Sequence, residues 1–273
     1  FFPDTVRQEN APFHPKIWEF FDSPRHHYFA LECFRGSSKT TIARIATAKR
    51  IAYALSRTIF YTSVSQAHAV KSLRWLKRQI QYNELFARTF HLSKGDKWTD
   101  EEINIRVKRP GEKEYYITIV AVGITGQIRG LNVEDYRPDF IIGDDPCDEE
   151  NTNTAESRQK ISDLFFGGLM PSLAPRSENP FSQMCLLQTC LAPGDLIDLC
   201  HKNTLWETVR ISCFDSLGQS SWPARNTTEE LLALTKAAPS FYNLTNNSAK
   251  TIKILEKSIA IFPRNHRAYY ELA

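Results

Sequence analysis

One stretch restricts the fold of this chain more than any other. An apolar run, His27-Tyr-Phe-Ala-Leu31, leads into the small-residue turn Glu32-Cys-Phe-Arg-Gly-Ser-Ser-Lys-Thr-Thr41, and a helical pattern follows with Ile42, Ile45, Ala46, Ala52 and Leu55. Strand, small turn, Lys-Thr and helix is the arrangement that cradles the phosphates of a nucleotide. Backbone N–H groups of Gly36, Ser37 and Ser38 can point inward, and the following helix N-terminus adds partial positive charge. Lys39 can reach the β/γ-phosphates and the Thr40 hydroxyl can take a place on Mg²⁺. The pattern GxxxxGK[ST] wants glycine where Cys33 and Ser38 stand, so the motif is degenerate, and an ordinary strand–turn–helix is the rival reading.

About a hundred residues on comes Arg137-Pro-Asp-Phe-Ile-Ile-Gly-Asp-Asp-Pro146. Phe140-Ile141-Ile142 reads as a short buried strand with Asp144 and Asp145 at its carboxyl end, where parallel α/β sheets bind their ligands. Adjacent carboxylates there suit a nucleoside triphosphatase, one holding the metal and the other orienting the attacking water. A strand leaving the core through a charged turn would look similar in isolation. The order and spacing of the two motifs together favour the nucleotide reading.

The 273 residues suit one large α/β domain with an appendage. Hydrophobic content of 42% and charged content of 24% are those of a globular chain, and the net charge of +3 permits a nucleic-acid partner without demanding one. No apolar run approaches the ~20 residues of a membrane span, so no membrane partner is expected. The chain opens Phe1-Phe2-Pro3 without methionine, which predicts a fragment or a processed chain. Its six cysteines lack metal-ligand spacing and read as reduced core residues.

Along the chain, 13–21 reads as a short amphipathic helix and 58–64 as a strand leading into a helix over 66–80, the βαβ signature of a parallel sheet. Residues 103–107 and 115–122 flank Arg109-Pro-Gly-Glu112 and predict an antiparallel hairpin. A helix over 155–166, strands at 184–189 and 206–213, and a helix over 228–237 follow. These readings divide the chain into a nucleotide-binding domain over 1–225, a connecting helix and linker over 226–248, and a small helical tail over 249–273.

The succession RGSSKTT, GQIRGLNVEDYRPDFIIGDDP, DEEN and LLQTCLAPGDLI resembles the ATPase domain of the large terminase subunit of tailed phages, over roughly residues 10–240 and most specifically over 123–151. The run from Trp222-Pro-Ala-Arg225 to Ser240-Phe-Tyr-Asn243 is similar to the connection that leads, in that family, to a nuclease domain, and no such domain is expected within these residues. The resemblance implies a P-loop fold with a mainly parallel central sheet flanked by helices, ATP and Mg²⁺ as cofactors, and a motor that drives double-stranded DNA into a capsid. It also implies a portal ring, a small terminase subunit and sibling subunits in a homo-oligomeric ring as partners, in the cytoplasm of an infected or prophage-carrying bacterium. Arg35, Gly36, Ser37, Ser38, Lys39 and Thr40 fall on the phosphate loop, with Thr40 and Asp144 on the metal. Asp145 falls on the catalytic carboxylate, often Glu in relatives and one methylene longer there. Arg129, beside Gly130, is an arginine that would act in trans on a neighbouring subunit's nucleotide, with Arg137 as competitor and pairing to Glu134 or Asp135 as the bland alternative. Thr189 falls on the element that senses loss of the γ-phosphate. Glu149 and Glu150 are solvated loop acids on the default reading and substitutes for Asp145 on the other.

Two surfaces are candidate DNA contacts: Lys71, Arg74 and Arg78 on one helix face, and Arg106, Lys108, Arg109 and Lys113 around the hairpin, against the default of a solvated charged face. The tail over 249–273 resembles part of a tetratricopeptide repeat, with Leu255, Ile259, Ala268, Tyr269 and Leu272 where that repeat packs. Two other functions compete with the motor: a different P-loop ATPase or helicase, and a remnant that has lost catalysis and only binds proteins.

Overall fold

In the computed structural model, residues 1–126 and 136–237 are described. Eight strands form one sheet: β1 Tyr28–Cys33, β2 Thr58–Ser63, β3 Leu92–Trp98, β4 Glu102–Val107, β5 Tyr115–Gly123, β6 Phe140–Asp144, β7 Gln183–Gln188 and β8 Glu207–Ile211. Their order across the sheet is β3-β4-β5-β2-β6-β7-β1-β8. From β5 to β8 every neighbouring pair is parallel, and only β3–β4 and β4–β5 are antiparallel. This is the mainly parallel α/β sheet that the alternation of strand and helix patterns predicts.

Why the sheet is covered on both sides can be read from its strands. β1, β2, β6 and β7 are buried almost throughout, with apolar centres, as strands covered on both faces are. Successive residues send side chains to opposite faces. Phe29, Leu31, Ile59, Phe140, Ile142 and Leu187 join one core, under the helices α1 His14–Asp22, α2 Lys39–Ala52 and α3 Gln66–Tyr82. Ala30, Phe60, Ile141, Met184 and Leu186 join the other, with Ile161 of α6 Ala155–Leu164 and Leu196, Ile197 and Cys200 of α7 Leu196–Lys202. Gly123 ends β5 where α3 comes closest: a methyl group on it would lie 2.6 Å from the backbone nitrogen of Gln66.

Several elements differ from expectation. The helix predicted over 155–166 is regular only to Leu164 and continues as a π-turn, Phe165–Leu169, and a 3₁₀ turn, Met170–Ser172. Gly167, Gly168 and Pro171 account for the loss of regularity. The edge strand β3 escapes the sequence reading because Leu-Ser-Lys-Gly-Asp-Lys-Trp is mostly polar and only its first residue is buried. The short helices α4 Glu84–Thr89 and α5 Glu149–Thr152, and α7, offer too few turns to show a period. α8 Thr228–Ala237 places Leu231 and Leu232 in the core under α1–α3. The six cysteines are unbridged, all but Cys190 buried. Among the described residues no helix is long and apolar enough to cross a membrane. The linker and the repeat-like tail, residues 238–273, lie outside the described residues.

Candidate functional site: a lysine-bearing loop facing two carboxylates

Sheet order assembles the site. β7 lies between β6 and β1, so the carboxyl end of β7 must sit between the acidic pair after β6 and the loop after β1. Lys39, at the start of α2, extends its buried ammonium to this junction. It donates to Thr189 Oγ1 at 2.9 Å and stands 3.4 Å from Asp145 Oδ2. Thr189 in turn donates its hydroxyl to the Cys33 carbonyl at 2.8 Å, and its backbone N–H lies 3.4 Å from Asp145 Oδ1. Thr40 donates to Asp144 Oδ1 at 3.0 Å. Residues from three separate segments thus form one bonded cluster.

The loop itself is built on two left-handed residues, Gly36 at φ 88° and Ser38 at φ 67°. Glycine adopts this conformation freely, whereas a side chain there costs about 1–2 kcal/mol. Ser38 therefore holds a backbone conformation that glycine adopts more easily, at some strain. One expectation needs correction: the Ser37 N–H does not point into the loop but closes a turn on the Phe34 carbonyl at 3.2 Å. The first backbone bond inside α2 runs from Ile42 N–H to Ser38 O, and no side chain caps this end. The N–H groups of Lys39, Thr40 and Thr41 therefore have no intrahelical acceptor, the arrangement an anion satisfies.

On the acidic side, Asp144 is buried while Asp145 is partly exposed and holds a positive φ of 47°. Asparagine and aspartate tolerate that conformation better than most residues. Burial, and secondarily the charge of Asp145, push the Asp144 carboxyl up to about 6. Opposing this, Tyr61 donates to Asp144 Oδ2 at 2.8 Å and Thr40 donates to Oδ1. Ser63 Oγ donates to the Asp144 carbonyl at 2.8 Å. Tyr61 and Ser63 come from β2, the other neighbour of β6.

The donor set fits Mg²⁺. A hard cation takes oxygen ligands, and magnesium is commonly held by one or two carboxylates together with substrate phosphates. A hydroxyl and a buried carboxylate beside a second carboxylate supply that chemistry. No cluster of three or more His, Cys, Asp or Glu side chains suited to a dedicated metal cage occurs among the described residues. Lys39 has three donors but two acceptors in reach, which leaves capacity for a phosphate oxygen.

Other predicted positions are more peripheral. Arg35 lies at the loop, its guanidinium 3.9 Å from Glu149, and Glu149 and Glu150 are exposed. Arg137 leads into the amino end of β6, about 13 Å of strand away from Asp144, so within one chain it serves the opposite edge of the sheet. Arg129 lies outside the described residues. Of the basic surfaces, Arg74 pairs with Asp100 at 2.6 Å, which Lys77 also approaches at 3.3 Å. Arg109 donates to the Ala52 carbonyl at 2.7 Å, and Arg106 to Ser93 Oγ at 3.2 Å. Lys71, Arg78, Lys108 and Lys113 are not buried.

Sequence reasoning missed Tyr61, His14 and Arg225. His14, on α1, accepts from Ala11 N–H through Nδ1 at 3.0 Å, so its Nε2 carries the hydrogen and faces the Ser37 carbonyl at 3.3 Å. Burial holds its imidazole below the usual range, in keeping with this neutral tautomer. Tyr61 shares its strand with Thr58, Thr62 and Ser63, so its hydroxyl does not stand out in the sequence; nothing local marks the other two.

No protein-family model matches the sequence, and no curated protein matches it. Comparison of structures is informative. The large terminase ATPase domain of Thermus phage P74-26 superposes with a TM-score of 0.59 at 12% identity, over 89% of this chain and 96% of that one. An arginine-to-alanine variant of the same domain gives 0.59 at 11% identity, over 87% and 92%. The large terminase of another, thermophilic bacteriophage gives 0.49 at 10% identity, over 89% of this chain and 52% of its own. The chain therefore has the fold of a large terminase ATPase domain.

Proposed function

We propose that this chain is an ATP-hydrolysing motor domain that drives double-stranded viral DNA into a capsid. The observation that carries the reading is the bonded cluster of Lys39, Thr40, Asp144, Asp145 and Thr189, assembled at the carboxyl edge of β1, β7 and β6. Phosphoryl transfer requires little covalent chemistry from a protein; it requires placed positive charge and an aligned water. Lys39 and the open N–H groups of α2 take the polyphosphate, with Gly36 and Ser38 shaping the loop and Arg35 at its rim. Thr40 and Asp144 would hold Mg²⁺, which would add charge stabilisation at the phosphates.

Asp145 orients the attacking water. It is paired with Lys39, and a phosphate that draws the ammonium away would free this carboxylate for the water. Thr189, which touches both Lys39 and Asp145, would register the loss of the γ-phosphate. Arg129 is assigned as the finger supplied by a sibling subunit in a ring, and DNA, a portal ring and a small terminase subunit are the assigned partners, in the cytoplasm of the bacterial host.

ATP hydrolysis by the purified chain, with and without double-stranded DNA and with Lys39→Ala as control, tests the reading. Lys39-dependent hydrolysis that rises with duplex DNA is expected. Equal background rates in both proteins would leave a binding remnant; stimulation by single strands and strand separation would indicate a helicase.

A further inference from the structure

Arg225 reaches the phosphate loop from nearly two hundred residues away. Its Nη1 lies 3.4 Å from Ser38 Oγ, and a methyl group placed on Gly36 would meet its Nε at 3.6 Å. The guanidinium therefore lies across residues 36–38. Its backbone is fixed by a turn in which the N–H groups of Arg225 and Asn226 both donate to the Trp222 carbonyl, at 3.0 and 3.1 Å.

The guanidinium also sits 5.1 Å over the Trp222 ring. Trp222 is buried, donates its indole N–H to the Glu9 carbonyl at 2.9 Å, and packs edge-on against the imidazole of His14, which itself holds the Ser37 carbonyl. An open groove of about 1340 Å³ begins at Ser38 and Thr41, runs along Ile42 and Ile45, and has Trp222 and Arg225 on its wall.

Resting on the nucleotide reading above, we infer that Arg225 is a polyphosphate-binding residue of this site, held in readiness by Ser38. A guanidinium matches phosphate oxygens with paired donors, and this one stands at the mouth of a loop shaped for that anion. A neutral hydroxyl is a weak partner for it and is readily exchanged for a phosphate. The arrangement also gives the degenerate loop a reason: serine in place of glycine keeps the left-handed backbone and adds the acceptor that positions the arginine.

Calorimetric titration of the whole chain with MgATP, MgADP and adenosine tests the assignment. Arg225→Ala should weaken ATP and ADP about tenfold or more and leave adenosine unchanged, with Arg225→Lys between the two. Ser38→Ala should give part of the same loss, and the double variant should be no weaker than Arg225→Ala alone. With wild-type binding intact and dependent on Lys39, an unchanged Arg225→Ala, or equal losses for all three ligands, overturns the role of Arg225 alone. A wild type that binds no nucleotide, or a Lys39→Ala that binds ATP equally, overturns the site reading and Arg225 with it. Thermal melts confirm that each variant is folded, and Arg225→Lys serves should the alanine variant fail.

Discussion

Asp144 carries the clearest conflict between stability and chemistry. A carboxyl whose folded pKa lies above its unfolded value holds its proton more tightly when folded. Its stabilising contribution is full below the ordinary value of 3.8 and is lost as pH rises through about 6. The gap corresponds to about 3 kcal/mol. Asp144→Asn should therefore stabilise the nucleotide-free protein at pH 7.5 by up to about that amount, and by much less at pH 4. Urea unfolding at the two pH values checks this, and a pH-independent difference contradicts it. Metal binding needs the ionised form, so wild-type affinity for MgATP should fall as pH drops below about 6. Tyr61→Phe removes a donor that favours the carboxylate and should move that midpoint upward; an unmoved midpoint would show that the 2.8 Å contact does not govern Asp144. At Ser38, relief of a left-handed side chain outweighs the extra freedom glycine gives the unfolded chain. Ser38→Gly should therefore raise stability by about 0.5–1 kcal/mol, measured by the same unfolding curves.

Elements explain which parts of this site the sequence makes legible. Lys39, Thr40, Asp144 and Asp145 are marked by their neighbours: each lies at or just past a strand end or in the first turn of a helix, and a strand end beside a small-residue turn is a local pattern. Tyr61, His14 and Arg225 reach the site only because β2 borders β6 and because both α1 and the turn after Trp222 fold back over the loop. Pairing order is not written within any one segment, so these contacts are invisible until the sheet is assembled. The same holds for Arg50, which looks like an ordinary helical arginine and is buried. It donates to Ser56 Oγ at 2.9 Å, to the Phe181 carbonyl at 2.7 Å and to the Gln183 side chain, and lies 3.9 Å over the Phe140 ring. It ties the last turn of α2 to the segment entering β7. Arg50→Ala strands several buried acceptors and should cost about 3 kcal/mol or more, and lysine, a point charge, should rescue little of it. A near-wild-type urea midpoint for Arg50→Ala would show that α2 is anchored by its apolar face alone.

At the scale of the whole molecule, Lys39 is the one buried cation among the described residues of the site, engaged by Asp145 and Thr189, with Arg225 at the rim. Transition-state charge on a transferring phosphoryl group is commonly met by a further arginine, worth about 10³–10⁵ in rate. Arg137 serves the wrong edge of the sheet within one chain, which leaves Arg129 as the sequence's nominee, proposed above to act from a neighbouring subunit. Two crippled proteins separate that arrangement from a finger acting on its own nucleotide. Lys39→Ala subunits keep Arg129 but have no working loop; Arg129→Ala subunits keep the loop but have no finger. Each alone should hydrolyse ATP at background. Mixed on DNA under conditions that assemble the wild type, they should regain a substantial fraction of activity, because an intact loop can then face an intact finger across a subunit boundary. A finger in cis predicts a mixture as idle as its components. If Arg129→Ala alone keeps the wild-type rate, the arginine has no part in hydrolysis.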